Sequence, residues 1–276
     1  MLKTPFFFGN LMSAIQLATV LAGATAFNEN NVNDTFRGQV LAAGGEVKQA
    51  IVKDLNLIQL CNELVAHCLA REVGLPIPDC YLGLVRQGVL DLDKAPSTTD
   101  GSRLVFVSVD VKVPNVTFRW KGSDEAGRKA LLEEISKWGD LGHLYAYDAW
   151  IANVDRHAGN LLFGGDSEFW LIDHGHCFTG PTWDAANLAP DSEYRNRLAE
   201  WLTGHLTHDQ KKRHASEARK FGATIASFDA TQTSEYSRIS DLLPLQNVNA
   251  LKQFLEKRTA RAPLDASKAL GVPQLV

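Results

Sequence analysis

Apolar residues in the first part of the chain fall into short runs separated by turn-forming residues, a pattern typical of β-strands. The predicted strands cover residues 15–27, 36–43, 47–54, 80–85 and 103–109. A polar loop at 28–34 follows the first strand, and Gly44-Gly45 between the second and third is a hairpin turn signal. The pattern therefore predicts a five-stranded sheet, which we expect to be antiparallel.

One helix interrupts this series of strands. Between Leu57 and Leu69, apolar residues recur at spacings of three and four. Gly74 lies where a helix commonly ends, and Pro76 prevents the helix from continuing. We expect this helix to pack on the sheet.

The pattern changes to helical periodicity after residue 122. The predicted helices cover residues 124–137, 141–151, 195–203, 208–221 and 248–260. The segment 110–122, with Pro114, is expected to be an irregular connector, and the last dozen residues are expected to be loosely ordered. Taken together, the elements predict an α+β protein in which an N-terminal lobe, residues 1–108, precedes a mostly helical lobe, residues 109–276.

Three polar residues stand out in the stretch 148–178. Asp155 and Asn160 lie in a polar loop after a helix, and Asp173 ends an apolar run that follows a Gly-Gly turn. Carboxylate and amide oxygens are hard ligands that suit Mg²⁺. A further carboxylate can accept the proton of an attacking hydroxyl. These are the groups that phosphoryl transfer requires.

A second pair of polar residues precedes this stretch. Lys53 ends a strand rich in β-branched residues, and Glu63 lies within the following helix. Each residue alone is typical of a solvated surface. A strand lysine and a helix glutamate in this order can, however, pair across a cleft and orient the amine towards nucleotide phosphates.

At this point the residues resemble those of a known family. The segment Asn153-Val-Asp155-Arg156-His157-Ala-Gly-Asn160 is similar to the catalytic loop of HipA-like kinases and to that of phosphatidylinositol kinases. Leu171-Ile-Asp173-His174-Gly175 resembles the metal-binding Asp-x-Gly element of the same superfamily. The order of Lys53, Asn62-Glu63 and the Leu75-Pro-Ile-Pro78 break resembles the small lobe of HipA-like kinases.

The resemblance implies a bilobal protein-kinase-like fold and a role for each matching residue. It implies that Asp155 is the catalytic base, and that Asn160 and Asp173 hold Mg²⁺. Lys53 would contact the α- and β-phosphates of ATP, with Glu63 as its ion partner.

The phosphate-covering loop is the part of the pattern that departs most from known kinases. Residues 28–36 would cover the phosphates, with Thr35 as a hydroxyl contact, but the chain carries no glycine-rich signature there. His174 also stands where protein kinases usually have phenylalanine.

Charge and composition exclude several classes of partner. The formal net charge is −4, so nucleic acid is not an expected partner. The four cysteines form no CxxC pair and are expected to be reduced thiols. The start of the chain imitates a secretory signal, but Asn10, Ser13 and Gln16 interrupt its apolar run, and no membrane span is expected. We therefore expect a cytoplasmic protein.

The sequence leaves four functional hypotheses open. The first is an ATP- and Mg²⁺-dependent kinase that phosphorylates a protein serine or threonine, and HipA-like kinases further imply a toxin or defence role with an antitoxin or regulatory protein as partner. The second is a lipid or small-molecule kinase, and the third is a pseudokinase that binds nucleotide without transfer. The fourth is a zinc-dependent hydrolase that uses His157, Asp173, His174, His176 and Cys177.

Overall fold

The structure, a computed structural model, describes residues 13–26, 34–165 and 168–272. Within these ranges, the residues up to 109 contain a six-stranded sheet and one long helix. Its elements are β1 (Leu17–Val20), β2 (Thr25–Ala26), β3 (Thr35–Ala42), β4 (Val47–Lys53), α1 (Leu57–Glu72), β5 (Cys80–Val85) and β6 (Arg103–Val109).

Five of these strands close into a barrel. The strand order is β1-β5-β6-β4-β3, and β1 returns to pair with β3. Ala18 of β1 lies opposite Ala42 of the antiparallel β3 and opposite Gly83 of the parallel β5. The short β2 pairs with the other end of β3, where Thr25 lies opposite Arg37.

This closure shows that the predicted fold class, a bilobal protein-kinase-like fold with an antiparallel N-terminal sheet and one helix, is wrong. The sheet has no open edge at β1, and the β1–β5 pair is parallel. The physical reason is that the backbone of β1 has hydrogen-bonding groups along both of its edges. One edge pairs with β3 and the other with β5. The predicted strand 15–27 is also two short strands within its described residues, because a turn at 22–23 interrupts it.

The barrel interior is filled by small and β-branched side chains. Ala18, Val40, Val52, Val105 and Val107 are buried together in one cluster. Such residues suit a closed sheet, since the interior of a five-stranded barrel leaves room for side chains only.

The described residues that follow β6 are largely helical and contain one small hairpin. Its elements are α2 (Val116–Lys121), α3 (Glu125–Lys137), α4 (Leu141–Trp150), β7 (Leu161–Gly165), β8 (Glu168–Leu171), α5 (Arg197–Leu202), α6 (His208–Thr224), α7 (Ala230–Tyr236), α8 (Ile239–Leu242), α9 (Leu245–Arg258) and α10 (Ala262–Ala269). β7 and β8 pair with each other as a separate two-stranded sheet.

Three departures from the predicted helices have local causes. The expected irregular connector contains α2, which begins because the side chain of Asn115 caps the amide of Phe118. The short helices α7 and α8 were not predicted, since too few residues repeat to show a period. The expected loose end at the last dozen residues is wrong for those that belong to α10, where Ala266 and Ser267 are buried; residues 273–276 lie outside the described part.

Helix α1 connects the barrel to the helical part. Every residue from Gln59 to Ala70 is buried. Leu60 and Leu64 pack in a cluster with Phe106 of the barrel. Other α1 residues pack in the large cluster that contains Tyr147 and Trp150 of α4. Polar groups on so buried a helix are costly unless they are paired, so Asn62 and Glu63 require partners.

Within the described residues, no helix combines the length and apolar character needed to cross a lipid bilayer.

Candidate active site

Lys53 is the last residue of β4 and lies between two carboxylates. Its Nζ donates a hydrogen bond of 2.6 Å to Oε1 of Glu63 and a second hydrogen bond to Oδ1 of Asp173. Burial alone would lower the pKa of this ammonium, but the charges of Asp173 and Glu63 outweigh burial and raise it. The amine is therefore a fixed positive charge.

Glu63 holds two parts of the site together. Burial would raise the pKa of its carboxyl, but Lys53 and His174 outweigh this effect and lower it, so the group is ionised. Its second oxygen, Oε2, accepts a hydrogen bond of 3.0 Å from the backbone amide of His174. One buried carboxylate thus fixes both the strand lysine and the backbone directly after Asp173.

Asp173 follows β8 in a backbone conformation that is rare for a residue with a side chain. Its φ is +58°, in the left-handed region. Such a conformation costs about 1 kcal/mol or more and persists where the surroundings enforce it, often at functional sites. The Asp173 side chain is 44% exposed, so its carboxylate is accessible to a ligand.

Asp155 and Asn160 lie in the loop between α4 and β7. The backbone amide of Asp155 donates to Oδ1 of Asn153 over 3.0 Å, and the side-chain amide of Asn160 donates to the Asp155 carbonyl over 2.9 Å. Because the amide nitrogen of Asn160 is used in this bond, its Oδ1 is the side-chain atom suited to a cation.

Arg156 is a residue of the site for which the sequence pattern predicts no role. It is fully buried, and its guanidinium binds the carboxylate of Asp148 on α4 over 3.0 Å. It also donates to the carbonyls of Asn160 and Ile172 and to Nε2 of His174. Arg156 therefore ties the loop of Asp155 to the residues on both sides of Asp173.

His174 packs inside the site. Burial and the nearby charge of Arg156 lower its pKa, so the imidazole is neutral and can accept the bond from Arg156. This structural role accounts for a histidine after Asp173.

Arg197, the first residue of α5, is a second contact that the sequence did not indicate. Its guanidinium donates a hydrogen bond to Oδ1 of Asp155. The two residues are separated by 42 positions and belong to segments without a shared motif.

The six predicted site residues line one cavity of about 1310 Å³. Thr35, Lys53 and Glu63 contribute from the barrel and α1, whereas Asp155, Asn160 and Asp173 contribute from the other side. Most of the predicted phosphate-covering loop, residues 28–33, lies outside the described residues, and Thr35 begins β3 beside it. A cavity of this size can hold a nucleoside triphosphate.

The residues of the zinc hypothesis do not converge. Among the described residues, no group of three or more His, Cys, Asp or Glu side chains is placed to hold a metal ion. His174 instead contacts Arg156, and Cys177 is buried with its pKa raised by burial. The side-chain positions therefore do not support a zinc-dependent hydrolase.

The cavity is large enough for a nucleotide and is lined by a fixed ammonium, by exposed and buried carboxylates and by an amide. These are features of a phosphotransferase.

A comparison with protein-family models gives the family. The model described as HipA-like kinase matches residues 47–220, well over half of the 276 residues. The chain belongs to the HipA-like kinase family, which supports a kinase function in general. A search of curated proteins found no match.

Proposed function

We propose that this protein transfers the γ-phosphoryl group of ATP, with Mg²⁺, to a hydroxyl group of a protein serine or threonine. The observation that carries the proposal is the contact of Lys53 with both Glu63 and Asp173 at a cavity that Asp155 and Asn160 also line. This arrangement supports a site in which a cation, two oxygen ligands and a base would surround one volume.

Lys53 would bind the α- and β-phosphates of the nucleotide. Its ammonium is held by Glu63, and the second contact, to Asp173, is to a carboxylate that is 44% exposed. We expect Asp173 to exchange Lys53 for Mg²⁺ when nucleotide binds, since Lys53 then gains the phosphates as anionic partners.

The donor set of Asn160 and Asp173 fits Mg²⁺. One amide oxygen and one carboxylate leave the remaining positions of an octahedral shell for waters and phosphate oxygens, as is usual for this ion. When bound, Mg²⁺ would neutralise charge on the phosphates during transfer.

Asp155 would act as the base. The acceptor's O–H bond breaks as its oxygen bonds to the γ-phosphorus. The bond from that phosphorus to the bridging oxygen of ADP breaks, and the proton moves to the carboxylate of Asp155. The Asp155 side chain is 26% exposed, so a residue of another protein can reach it from solvent. This exposure and the family membership support a protein acceptor.

A transfer assay with separate acceptors tests this function. The purified chain is incubated with Mg²⁺ and γ-labelled ATP and one of three acceptors: degenerate serine/threonine peptides, phosphatidylinositol vesicles, or a set of small polyols. We expect label on the peptides. Label on lipid or polyol alone would replace the acceptor class, and ATP binding without transfer to any acceptor would indicate a pseudokinase.

A further inference from the structure

Helix α5 contacts the loop of Asp155 through two side chains on one face. Arg197 and Trp201 are four positions apart, which places them on the same side of a helix. Arg197 donates to Oδ1 of Asp155, and Nε1 of Trp201 donates to the carbonyl of Arg156 over 3.0 Å. The helix itself is started by Asn196, whose side chain accepts a bond of 2.9 Å from the amide of Ala199. Two consecutive loop residues are thus held by one element.

Arg197 contacts one oxygen of the Asp155 carboxylate. Asp155 lines the cavity, whereas Arg197 is not among the residues that line it, and the Arg197 side chain is 37% exposed. The guanidinium therefore binds the carboxylate from outside the cavity and occupies Oδ1. The hydrogen bond of Arg197 is to Oδ1 and not to the other oxygen, Oδ2.

We propose that Arg197 is a positioning residue that fixes the carboxylate of Asp155 for proton transfer. The proposal rests on the proposed function, in which Asp155 is the base. A free aspartate side chain rotates about two bonds, and its oxygens exchange. The bond to Arg197 selects one rotamer, in which the proton of the acceptor hydroxyl passes to Oδ2.

The ion pair between Arg197 and Asp155 can orient the carboxylate without being needed for folding. Ion pairs that are partly exposed contribute little to stability, since solvent screens them. Removing Arg197 should consequently leave the protein folded while the carboxylate of Asp155 loses its fixed orientation.

The chain supplies a matched control two positions earlier. Arg195 is an arginine just before α5, but its guanidinium binds the exposed carboxylate of Glu200, with both bonds at 2.7 Å. Arg195→Ala removes the same charge from the same surface and leaves the hydrogen bond of Arg197 to Asp155 in place.

The test measures steady-state ADP formation with Mg²⁺ and degenerate serine/threonine peptides for wild type, Arg197→Ala, Arg197→Lys and Arg195→Ala. We expect Arg197→Ala to lower kcat about tenfold or more, part of the about 10²–10⁴-fold effect of a positioned base. The KM for ATP should stay within about twofold, because a residue outside the cavity contributes little to nucleotide binding. Arg197→Lys should recover part of kcat, and Arg195→Ala should match wild type.

Three outcomes would overturn the proposal. An unchanged kcat in Arg197→Ala would show that Asp155 needs no support, and an increased kcat would show that Arg197 blocks the base. An equal loss in Arg195→Ala would assign the effect to surface charge. Asp155→Asn, measured in parallel, distinguishes failure of the proposed base from failure of the role of Arg197. If Asp155→Asn keeps wild-type activity, Asp155 is not the base. If Asp155→Asn loses activity while Arg197→Ala stays fully active, only the role of Arg197 is rejected.

Discussion

The side-chain oxygen of Asn62 accepts a hydrogen bond of 2.8 Å from the indole of Trp183. On its other side, the amide nitrogen of Asn62 donates to the carbonyls of Gly175, Cys177 and Gly180 at 2.8–3.1 Å. Helix α1 therefore holds the segment after Asp173 through one fully buried carboxamide, next to the Glu63 that holds Lys53.

Replacing Asn62 with alanine should weaken both stability and nucleotide binding. The change leaves buried carbonyls and the Trp183 indole without partners, at about 1–3 kcal/mol for each group that stays unpaired. We expect a lower urea midpoint, a red-shifted tryptophan emission and weaker binding of Mg²⁺-ATP. Asn249→Ala, at an exposed position of α9, is the control. Equal stability in the two variants would show that Asn62 does not hold the segment.

Lys53→Met tests the phosphate contact. Loss of the ammonium should raise the Kd for Mg²⁺-ATP about tenfold or more, equivalent to about 1.4 kcal/mol. Titration calorimetry measures this, with thermal unfolding to verify the fold. Lys48→Ala on the same strand is the matched control, since Lys48 pairs with Glu46. An unchanged Kd in Lys53→Met would discard the assignment.

Asp148→Ala should destabilise the protein severely. It leaves the buried guanidinium of Arg156 without its carboxylate, and breaking one partner of a buried pair costs about 3–5 kcal/mol. Glu133→Ala, which removes an exposed partner of Lys137, should leave stability close to that of wild type, because solvent screens an exposed ion pair. Urea unfolding measures both, and similar losses in the two variants would contradict the structural role of Arg156.

His67 should make stability fall in mild acid. Burial first, and then the charge of Arg71, lower its pKa to about 4, although Asp79 and Glu63 oppose the shift. An unfolded histidine has a pKa of about 6.5, so between these values the unfolded chain binds the proton and the folded chain does not. Stability contributed by neutral His67 is complete above about pH 6.5 and is lost as pH falls towards about 4.

His67→Leu isolates this effect. At pH 5, protonation of His67 in the unfolded chain costs wild type about 2 kcal/mol relative to neutral pH, and the variant lacks this loss. The measurement is urea unfolding at pH 7 and pH 5, with His208→Gln at an exposed position as control. Parallel losses in wild type and His67→Leu would show that His67 is not the group that titrates.

The local elements could be predicted from the sequence better than their assembly. Strands β3 to β6 and helix α1 agree with the predicted runs to within a few residues, because burial of one face imposes a period on each. The closed barrel could not be predicted, since it depends on β1 pairing with two distant strands, and a local pattern carries no information about which edges meet. The resemblance to kinases led instead to the prediction of an open sheet in a bilobal fold.

The same division holds for the site. The six predicted residues line one cavity. They could be predicted because each is a polar residue among apolar neighbours in the sequence. Arg197 could not be found in this way, since it begins a short helix, α5, and acquires its partner only through the fold. Arg156 lay within the recognised motif, but its burial against Asp148 required the packed helix α4.

The most direct test of the kinase mechanism compares wild type with Asp155→Asn and Asp173→Asn in the transfer of γ-labelled phosphate from Mg²⁺-ATP to serine/threonine peptides. Both substitutions keep the side-chain size and remove one charge. We expect each to reduce transfer by about 10²-fold or more, since one removes the base and the other a Mg²⁺ ligand. Asp155→Asn should retain ATP binding. Equal labelling by all three proteins would contradict the mechanism.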